Sequence, residues 1–304
     1  MAIVRSLGGD IPAATLGPTL IHEHLVVDLR IPSARPADYA DDVETIVGPM
    51  IEHLRAVYNQ GIRAIVDCTP SDLGQHRTAY RAVAARTGLH VIAAVGTYRD
   101  AWLPEWVTQA DRARLAHWYE AGIRDGAGFI KLGCNPDGPT AAEARCVEAA
   151  GLASRRTNAL VACHVGYAAP ATRILDHFEA AGGDPARFVV VHLQNEPDVA
   201  THLDLAARGA WVEYDTIGVR PSDDVYIELL QALADAGRLD QALISQDACA
   251  YMVHNDGRIE RQHRFDYLMG AFVPRLRVAG FDNSDIDRLL IHNPARALAM
   301  PGGA

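Results

Sequence analysis

Gly128-Phe129-Ile130-Lys131-Leu132-Gly133 is an apolar run closed by glycine at both ends, with one charged residue inside it. Such a run reads as a short strand buried on both faces. Lys131 is the sole lysine among the 28 lysine and arginine residues, so every other side-chain cation of this kind is a guanidinium. An ammonium buried without a partner costs on the order of several kcal/mol, and its usual escape is to lose the proton. A neutral lysine amine can form a Schiff base, act as a general base, or add carbon dioxide. The last product is a carbamate, an anionic oxygen ligand able to bridge two metal ions. Arginine has none of these options because its guanidinium stays protonated. Taken by itself, the position also suits a lysine that snorkels from a strand end.

Segments of the same kind recur on both sides of this run. Upstream lie Thr19–Val26, which carries His22-Glu23-His24, then Arg63–Thr69 and His90–Thr97. Downstream lie Leu160–Gly166, Phe188–Leu193, Ala210–Thr216 and Ala242–Ala248. With the lysine run these make eight, separated by roughly 22 to 42 residues, which leaves room for a helix after each strand. Near-continuous apolar strands alternating with helices point to a parallel α/β sheet, and eight such units close into a TIM (β/α)8 barrel. The connecting segment Asp42–Asn59 sets Val43, Ile46, Val47, Met50, Ile51, Leu54 and Val57 along one helical stripe. Ser284-Asp285-Ile286-Asp287 opens the last helix in the manner of a capping box, with Asp where Glu is usual. Residues 1–18, with Gly8-Gly9-Asp10 and Gly17-Pro18, read as a small hairpin ahead of the barrel. No repeat, low-complexity stretch or linker divides the chain, so residues 1–304 read as one domain.

Composition narrows the function. A hydrophobic fraction of 49% with 22% charged residues is that of a soluble globular protein with a large core. A formal charge of −10 argues against a nucleic-acid or anionic-membrane surface. The first ten residues lack the apolar stretch of a signal peptide, and no run approaches the roughly 18 apolar residues of a membrane helix. The five cysteines are scattered, odd in number and form no CxxC, which fits a reducing cytosol and a cytoplasmic protein.

His22 and His24 are two apart, so on a strand both project to one face. Thirteen histidines in 304 residues give roughly half such a pair by chance, so position carries the argument. His164 closes the fifth segment, His192 the sixth and Asp247 the eighth, and Lys131 lies near the end of the fourth. In a barrel these six side chains converge at the C-terminal mouth, where catalytic residues of such barrels sit. Imidazoles, a carboxylate and a carbamate form an N/O donor set suited to zinc first, with manganese, iron or cobalt also accommodated. Six ligands exceed the need of one tetrahedral zinc and favour two divalent ions about 3.5–4 Å apart with a bridging hydroxide. His22, His24 and Asp247 are assigned to one metal, His164 and His192 to the other, and carboxylated Lys131 to the bridge. Asp247 is also placed to take the proton of the attacking hydroxide.

These residues resemble those of the phosphotriesterase-like group of the amidohydrolase superfamily, and the resemblance runs almost end to end. It is carried by Gly17-Pro18-Thr19-Leu20-Ile21-His22-Glu23-His24, the Lys131 strand, the strand-end His164 and His192, Ser245-Gln246-Asp247, and the tail Leu289–Arg296. The resemblance implies a binuclear hydrolase whose carboxylated lysine bridges two divalent metals, with His22, His24, His164, His192 and Asp247 completing the site. It also implies a homodimer.

The same resemblance bears on substrate. Family lactonases carry a tyrosine after the third strand where phosphotriesterases usually have tryptophan. Gly96-Thr97-Tyr98-Arg99-Asp100 matches the lactonase pattern, with Tyr98 as the catalytic tyrosine. Acyl-homoserine-lactone hydrolases of the group usually have arginine after the strand-7 aspartate, whereas this chain reads Asp215-Thr216-Ile217-Gly218, with Arg220 near enough to substitute. The segment Cys249–Phe265 reads as a polar loop after strand 8 and carries Tyr251, His254, Arg258, Arg261 and His263. In the family that loop lines the leaving-group pocket, so Cys249 and His254 join Tyr98, Trp102 and Arg220 as substrate contacts, with Trp106 a further candidate wall. Glu23 is read as a structural ion-pair partner pointing away from the metals. His53, His76, His90, His117, His177, His202 and His292 are read as surface residues. The resulting expectation is a lactonase acting on a small lactone or related ester. Phosphotriester or aryl-ester hydrolysis on the same site is one alternative, and a metal-loaded barrel that binds ligand with little catalysis is another.

Overall fold

The computed structural model describes residues 1–35, 43–165, 168–261 and 265–302. Asp42 of the first helical stripe, Gly166 of the fifth apolar segment and His263 of the strand-8 loop lie outside the described residues. The chain opens with the antiparallel pair β1 (Ala2–Ser6) and β2 (Gly9–Pro12), the hairpin expected from residues 1–18. A short β13 (Met300–Pro301) joins it from the far end of the chain.

The main sheet runs through β3 (Thr19–Asp28), β4 (Ala64–Asp67), β5 (His90–Thr97), β6 (Phe129–Gly133), β7 (Val161–His164), β8 (Phe188–Val191), β9 (Trp211–Tyr214) and β10 (Ala242–Ile244). These strands pair in parallel, each with the next in sequence. Each falls on one of the eight apolar segments. Helices follow most of them, including Val43–Asn59, Arg77–Thr87, Arg112–Arg124, Ala141–Thr157, Ala168–Ala180, Val199–Ala207 and Asp223–Asp235. In the first of these helices Ile46, Val47, Met50, Ile51, Leu54 and Val57 are buried, as the stripe requires. Among the described residues no helix is long and apolar enough to cross a membrane.

Strand alternation divides the core in two. One face of the sheet, with residues such as Ile65, Val91, Ile130 and Val212, packs under the helices. The other face gathers Ala64, Val66, Ile92, Ala94, Phe129, Ala162, Val189, Val191 and Leu243 into a second cluster. Lys131 is two residues beyond Phe129 and His164 two beyond Ala162, so both continue the inward face just above this apolar plug. In β3 the register with β4 shifts between Leu20 and Glu23. The shift lets Ile21 join the inner cluster while His22 and His24 still line the cavity above it.

The edges of the curled sheet meet between β10 and β3. The ladder stops at Ile244, and a break of four residues follows. Across it Asp247 N donates to His22 O at 3.1 Å and His24 N to Ala248 O at 2.8 Å. The chain then re-enters strand as β11 (Cys249–Val253), parallel to β3 with Cys249 beside His24 and Val253 beside Asp28. A turn leads to β12 (Ile259–Glu260), antiparallel to β11. The segment read as a polar loop therefore begins with a buried strand. The result is a barrel-like core built of a curled, mostly parallel sheet, distorted at Ser245–Ala248.

The capping box of the last helix also differs from the sequence reading. Asp282, not Ser284, is the N-cap, and its side chain accepts from Asp285 N while Asp285 accepts from Asp282 N. Phe281 tucks into the core and fixes the entry two residues earlier.

β5 and β6 approach so closely that a Cβ on Gly96 would lie 1.7 Å from the Lys131 carbonyl oxygen. Backbone cannot yield there without opening the ladder. Gly96→Ala is expected to destabilise the fold by about 3 kcal/mol or more, the upper range for overpacking, and urea unfolding checks this. A midpoint equal to wild type would show that the two strands part freely.

Candidate metal centre

His22 and His24 on β3, Lys131 on β6, His164 at the end of β7, His192 one residue past β8 and Asp247 in the β10–β11 break line one cavity of about 170 Å³ with Tyr98 and Cys249. The six ligand candidates thus come together. His192 (φ 62°) and Asp247 (φ 49°) both adopt the left-handed backbone, unfavourable for side-chain-bearing residues by roughly 1–2 kcal/mol. Each is held there by its neighbours, since His192 N donates to Asp215 Oδ2 at 3.1 Å and Asp247 N to His22 O.

The imidazoles are oriented from behind. His22 Nδ1 lies 2.5 Å from Glu213 Oε1, His192 Nδ1 lies 2.5 Å from Asp215 Oδ1, and His24 Nδ1 lies 2.8 Å from Thr69 Oγ1. These contacts turn the Nε2 atoms of His22 and His24 toward Asp247, at 3.5 and 3.2 Å from Oδ1. Lys131 Nζ is 3.4 Å from His22 Nε2. His164 Nε2 is 3.4 Å from the Tyr98 hydroxyl, and its ring lies 4.6 Å from that of His192. A carboxylate gripping the far nitrogen of a histidine fixes its tautomer and raises its basicity as a metal ligand.

Electrostatics favour the ligand forms. Burial, reinforced by Lys131, pushes the His22 pKa well down. Burial, with His192 and Lys131 beside it, does the same for His164. A neutral imidazole is the form that binds metal. Burial works against the Asp247 anion, but the hydrogen bond to His24 and the charges of His22 and His192 outweigh it and hold the carboxyl at about 2. His192 goes the other way, because Asp215 more than offsets its burial. Burial and the neighbouring Asp215 push Glu213 well up, while Asp215 stays at about 2 through His192.

Among the described residues three sets of donor atoms each lie within 4.8 Å of one another: His22, His24 and Asp247; His192, Asp215 and Asp247; and His22, Glu213 and Asp215. Two of the sets share Asp247, so the cluster has the donors for two neighbouring ions. The donor chemistry fits divalent metals of the zinc type, and the cluster is a candidate binuclear site.

The substrate candidates sort by position. Cys249 lines the inner cavity, and Arg220 lines a wider one of about 490 Å³ with Asp247, His164 and His192. Trp102 is not among the lining residues. Its indole nitrogen donates to Leu29 O at 2.9 Å and its ring meets Tyr98 edge-on. Trp106 packs against Trp118 instead. His254 lines neither cavity, and Glu260 Oε2 takes its Nε2 at 2.6 Å in the β11–β12 hairpin. Glu23 turns away from the donors as expected, but it accepts hydrogen bonds from Ser245, Gln246 and Ala248 rather than forming an ion pair. His202 is fully buried, bonded to the Tyr214 hydroxyl and Glu196 O, rather than a surface residue. Sequence reasoning missed Glu213, Thr69 and Arg99, although Glu213 and Asp215 sit two apart on the inward face of Ala210–Thr216.

Tyr98 is positioned by a glycine and a buried acid. A Cβ on Gly133 would lie 2.6 Å from the Tyr98 ring, so the ring rests directly on the end of β6. Asp72 Oδ2 accepts from Tyr98 N at 2.7 Å, while Asp72 Oδ1 is buried without a hydrogen-bond partner.

A barrel-like βα sheet that carries imidazole and carboxylate donors at the C-terminal ends of its strands defines a hydrolytic metal centre. The chain belongs to the phosphotriesterase family, whose model matches residues 3–298, and with that donor cluster it is a metal-dependent hydrolase. It is 28% identical over 295 residues to the phosphotriesterase homology protein of Escherichia coli (strain K12), covering 92% of this chain and 97% of that one. It is 25% identical over 347 residues to the N-acetyltaurine hydrolase of Danio rerio, covering 98% of each. A mutant organophosphorus hydrolase from Deinococcus radiodurans superposes with a TM-score of 0.88 at 23% identity, covering 97% of each chain, a likeness of fold alone.

Asp72 generates a pH prediction. Burial lifts its carboxyl to about 7, against about 3.9 in an unfolded chain. The folded state holds a proton that the unfolded state releases, so this site's contribution to stability falls as pH rises from about 4 to about 7. Asp72→Asn, fixed in the neutral form, is expected to be more stable relative to wild type at pH 8 than at pH 5. Urea unfolding at both pH values measures the difference, and parallel pH dependence of the two proteins would refute it.

Proposed function

We propose that this protein is a lactonase that opens the ring of a small lactone on a binuclear centre at the mouth of a (β/α)8 barrel. The observation that carries the reading is the Tyr98 hydroxyl inside the donor cavity, 3.4 Å from His164 Nε2. His22, His24 and Asp247 would hold one divalent ion and His164 and His192 a second, with Lys131 as a carbamate supplying a further oxygen donor. Zinc is the first choice, with manganese, iron or cobalt also suited to these donors. Bound there, such ions supply Lewis acidity and a hydroxide near neutral pH, where free water has a pKa of about 15.7.

The chain's own groups do the rest. Asp247 is ionised and faces the cavity, so its Oδ1 can accept the proton given up in the attack and return it to the departing ring oxygen. Burial raises the Tyr98 phenol to about 12, which keeps its proton in place at neutral pH. Tyr98 therefore donates to the carbonyl oxygen as negative charge develops there. Glu213, Asp215 and Thr69 fix the imidazoles that face the substrate. The five buried, unpaired thiols support a reducing cytosol as the setting. The family match supports phosphotriester or aryl-ester hydrolysis as the reading to set against this one. The N-acetyltaurine hydrolase relative adds amide cleavage.

A panel of γ- and δ-lactones, aryl esters, an N-acyl amide and a dialkyl aryl phosphotriester, assayed with metal-loaded enzyme beside metal analysis, separates these readings. Lactones are expected to give the highest kcat/KM. Phosphotriester turnover far above every lactone would overturn the assignment. Two tightly held metals with no hydrolysis across the panel would favour a ligand-binding barrel.

Lys131, 2% exposed, is the second test. Lys131→Ala is expected to lose metal and nearly all activity, and Lys131→Arg to be as damaging because a fixed cation repels both ions. Lys131→Glu should retain part of the metal, and short carboxylic acids or bicarbonate should partly rescue the alanine variant. Mass spectrometry of the intact metal-loaded protein under mild conditions, or crystallographic density beyond Nζ, reads the carbamate directly. A bare ammonium in the fully loaded enzyme would contradict it.

A further inference from the structure

Resting on the hydrolase reading of the same site, we propose that Arg99 and Arg220 form an anion clamp, so that the preferred substrate carries a carboxylate or phosphoryl oxyanion at the end remote from the scissile bond. Both side chains line the wider cavity of about 490 Å³ that opens beside His164, His192 and Asp247. The inner cavity of about 170 Å³ has room for one small ring, so a substituent carried beyond that ring must extend into the wider space.

The two cations reach that space from different parts of the sheet. Arg99 follows β5 and Arg220 follows β9, and these strands stand four positions apart in the sheet order. Arg99 is part-buried, and its Nε is enclosed without a hydrogen-bond partner. Its guanidinium lies 5.2 Å from the Tyr98 ring centre and 5.0 Å from that of Trp102. These two faces hold the group in place but leave its N–H donors in the plane unused. The backbone of Arg220 is pinned, because its carbonyl accepts from Thr216 Oγ1 and the Tyr226 hydroxyl at 2.6 Å each. Its side chain stands exposed, with no carboxylate partner among the described residues.

Most arginines in this chain meet acids or carbonyls. In a protein of net charge −10, Arg99 and Arg220 line one cavity together, neither with an acid or carbonyl bound to its guanidinium among the described residues. A planar guanidinium with free paired donors is the group best matched to a carboxylate or phosphate. The arrangement places the fixed metal donors at one end of the substrate and fixed positive charge at the other.

The test uses the metal-loaded protein and two kinds of measurement. In the first, calorimetry compares butyrate with glutarate and 3-phosphonopropanoate, which share one carboxylate but carry a second anionic end. The expected result is glutarate or the phosphonate binding at least about tenfold tighter than butyrate, as for one hydrogen-bonded charge pair. Whichever anion shows the larger gap identifies the group the clamp takes. Arg99→Gln and Arg220→Gln should each shrink that gap by several-fold, and Arg99→Lys should restore part of it. In the second, a γ-lactone bearing a ring carboxylate is compared with its methyl ester. Wild type should prefer the acid through KM, and the preference should collapse in both glutamine variants.

A structural role for Arg99 through Tyr98 and Trp102 would lower binding of all ligands together and leave the ratios intact, which would overturn the clamp. Equal affinity of wild type for butyrate and both dianions would also overturn it. Tight dianion binding that depends on both arginines, with no lactone hydrolysed, would uphold the clamp while rejecting the lactonase reading.

Discussion

The buried carboxylate of Glu23 is the contact on which the seam of the sheet and the active-site geometry depend. Its Oε1 accepts from Ser245 Oγ at 2.9 Å and Gln246 N at 3.2 Å, and its Oε2 from Ala248 N at 2.7 Å. Ser245 Oγ in turn accepts from His22 N at 3.0 Å. The ladder between strands cannot supply these bonds, because the chain leaves strand geometry at Ile244 and regains it only at Cys249. Each unmet donor in such a place costs about 1–3 kcal/mol, so the break persists only with an acceptor of this reach. Burial drives the Glu23 carboxyl up to about 8, against the pull of the same hydrogen bonds. The consequence for function is indirect. Asp247 sits between residues anchored on one side of β3, which leaves its carboxylate facing His22 and His24 on the other.

Above this seam the interior is layered by polarity. Ala64, Val66, Ile92, Phe129, Val189 and Leu243 fill the lower part of the enclosed space. Glu213 and Asp215 form the next level, and the imidazoles rest on them. Carboxyl groups buried this deeply are unfavourable in isolation. They are tolerated here because each meets a ring nitrogen, and the two are pushed in opposite directions, Glu213 up by its burial and Asp215 down by His192. The arrangement explains why Glu213 on β9 and Asp215 just beyond it are acidic although Leu243 of β10 pairs beside Glu213. A donor cluster with its acids behind and its free nitrogens in front is preorganised for cations, and reorganising it on binding requires little movement.

Much of this was legible in the sequence because it follows from period two. Apolar segments with a polar residue near their C-terminal end identify the strands, and alternation carries Lys131 and His164 onto the inward face of Phe129 and Ala162. His22 and His24 reach the cavity through the register shift in β3, and His192 through its left-handed backbone, which no alternation shows. Where that periodicity lapses, the reading fails for definable reasons. Cys249–Val253 reads as loop because it follows a kink and leads into a polar hairpin, and nothing local announces that β3 is waiting to pair with it. Ser284 reads as the cap of the last helix because serine is a good cap, but Asp282 wins through the reciprocal bond with Asp285. His202 reads as a surface residue from its place on a helix, whereas its face of that helix packs on Tyr214. Glu213 carries the same two-residue signal as the histidines. It escaped notice because an acid within a strand has many structural uses, and only the tertiary contact with His22 distinguishes this one.

Chemistry and selectivity are divided between strand ends and the loops beyond them. The donor atoms sit on or next to strands whose backbone is fixed by neighbours on both sides, so their positions change little with loop sequence. Tyr98 occupies the boundary. Its ring rests on Gly133, its amide is held by Asp72, and its face is covered by Arg99 and Trp102. The loop after β5 thereby links a hydroxyl that lines the donor cavity to a cation that lines the wider one. The loop after β9 contributes Arg220 without touching the donors, since its anchors are Thr216 and Tyr226. Substitutions in these two loops can therefore change which substrates fit while leaving the imidazole and carboxylate cluster intact.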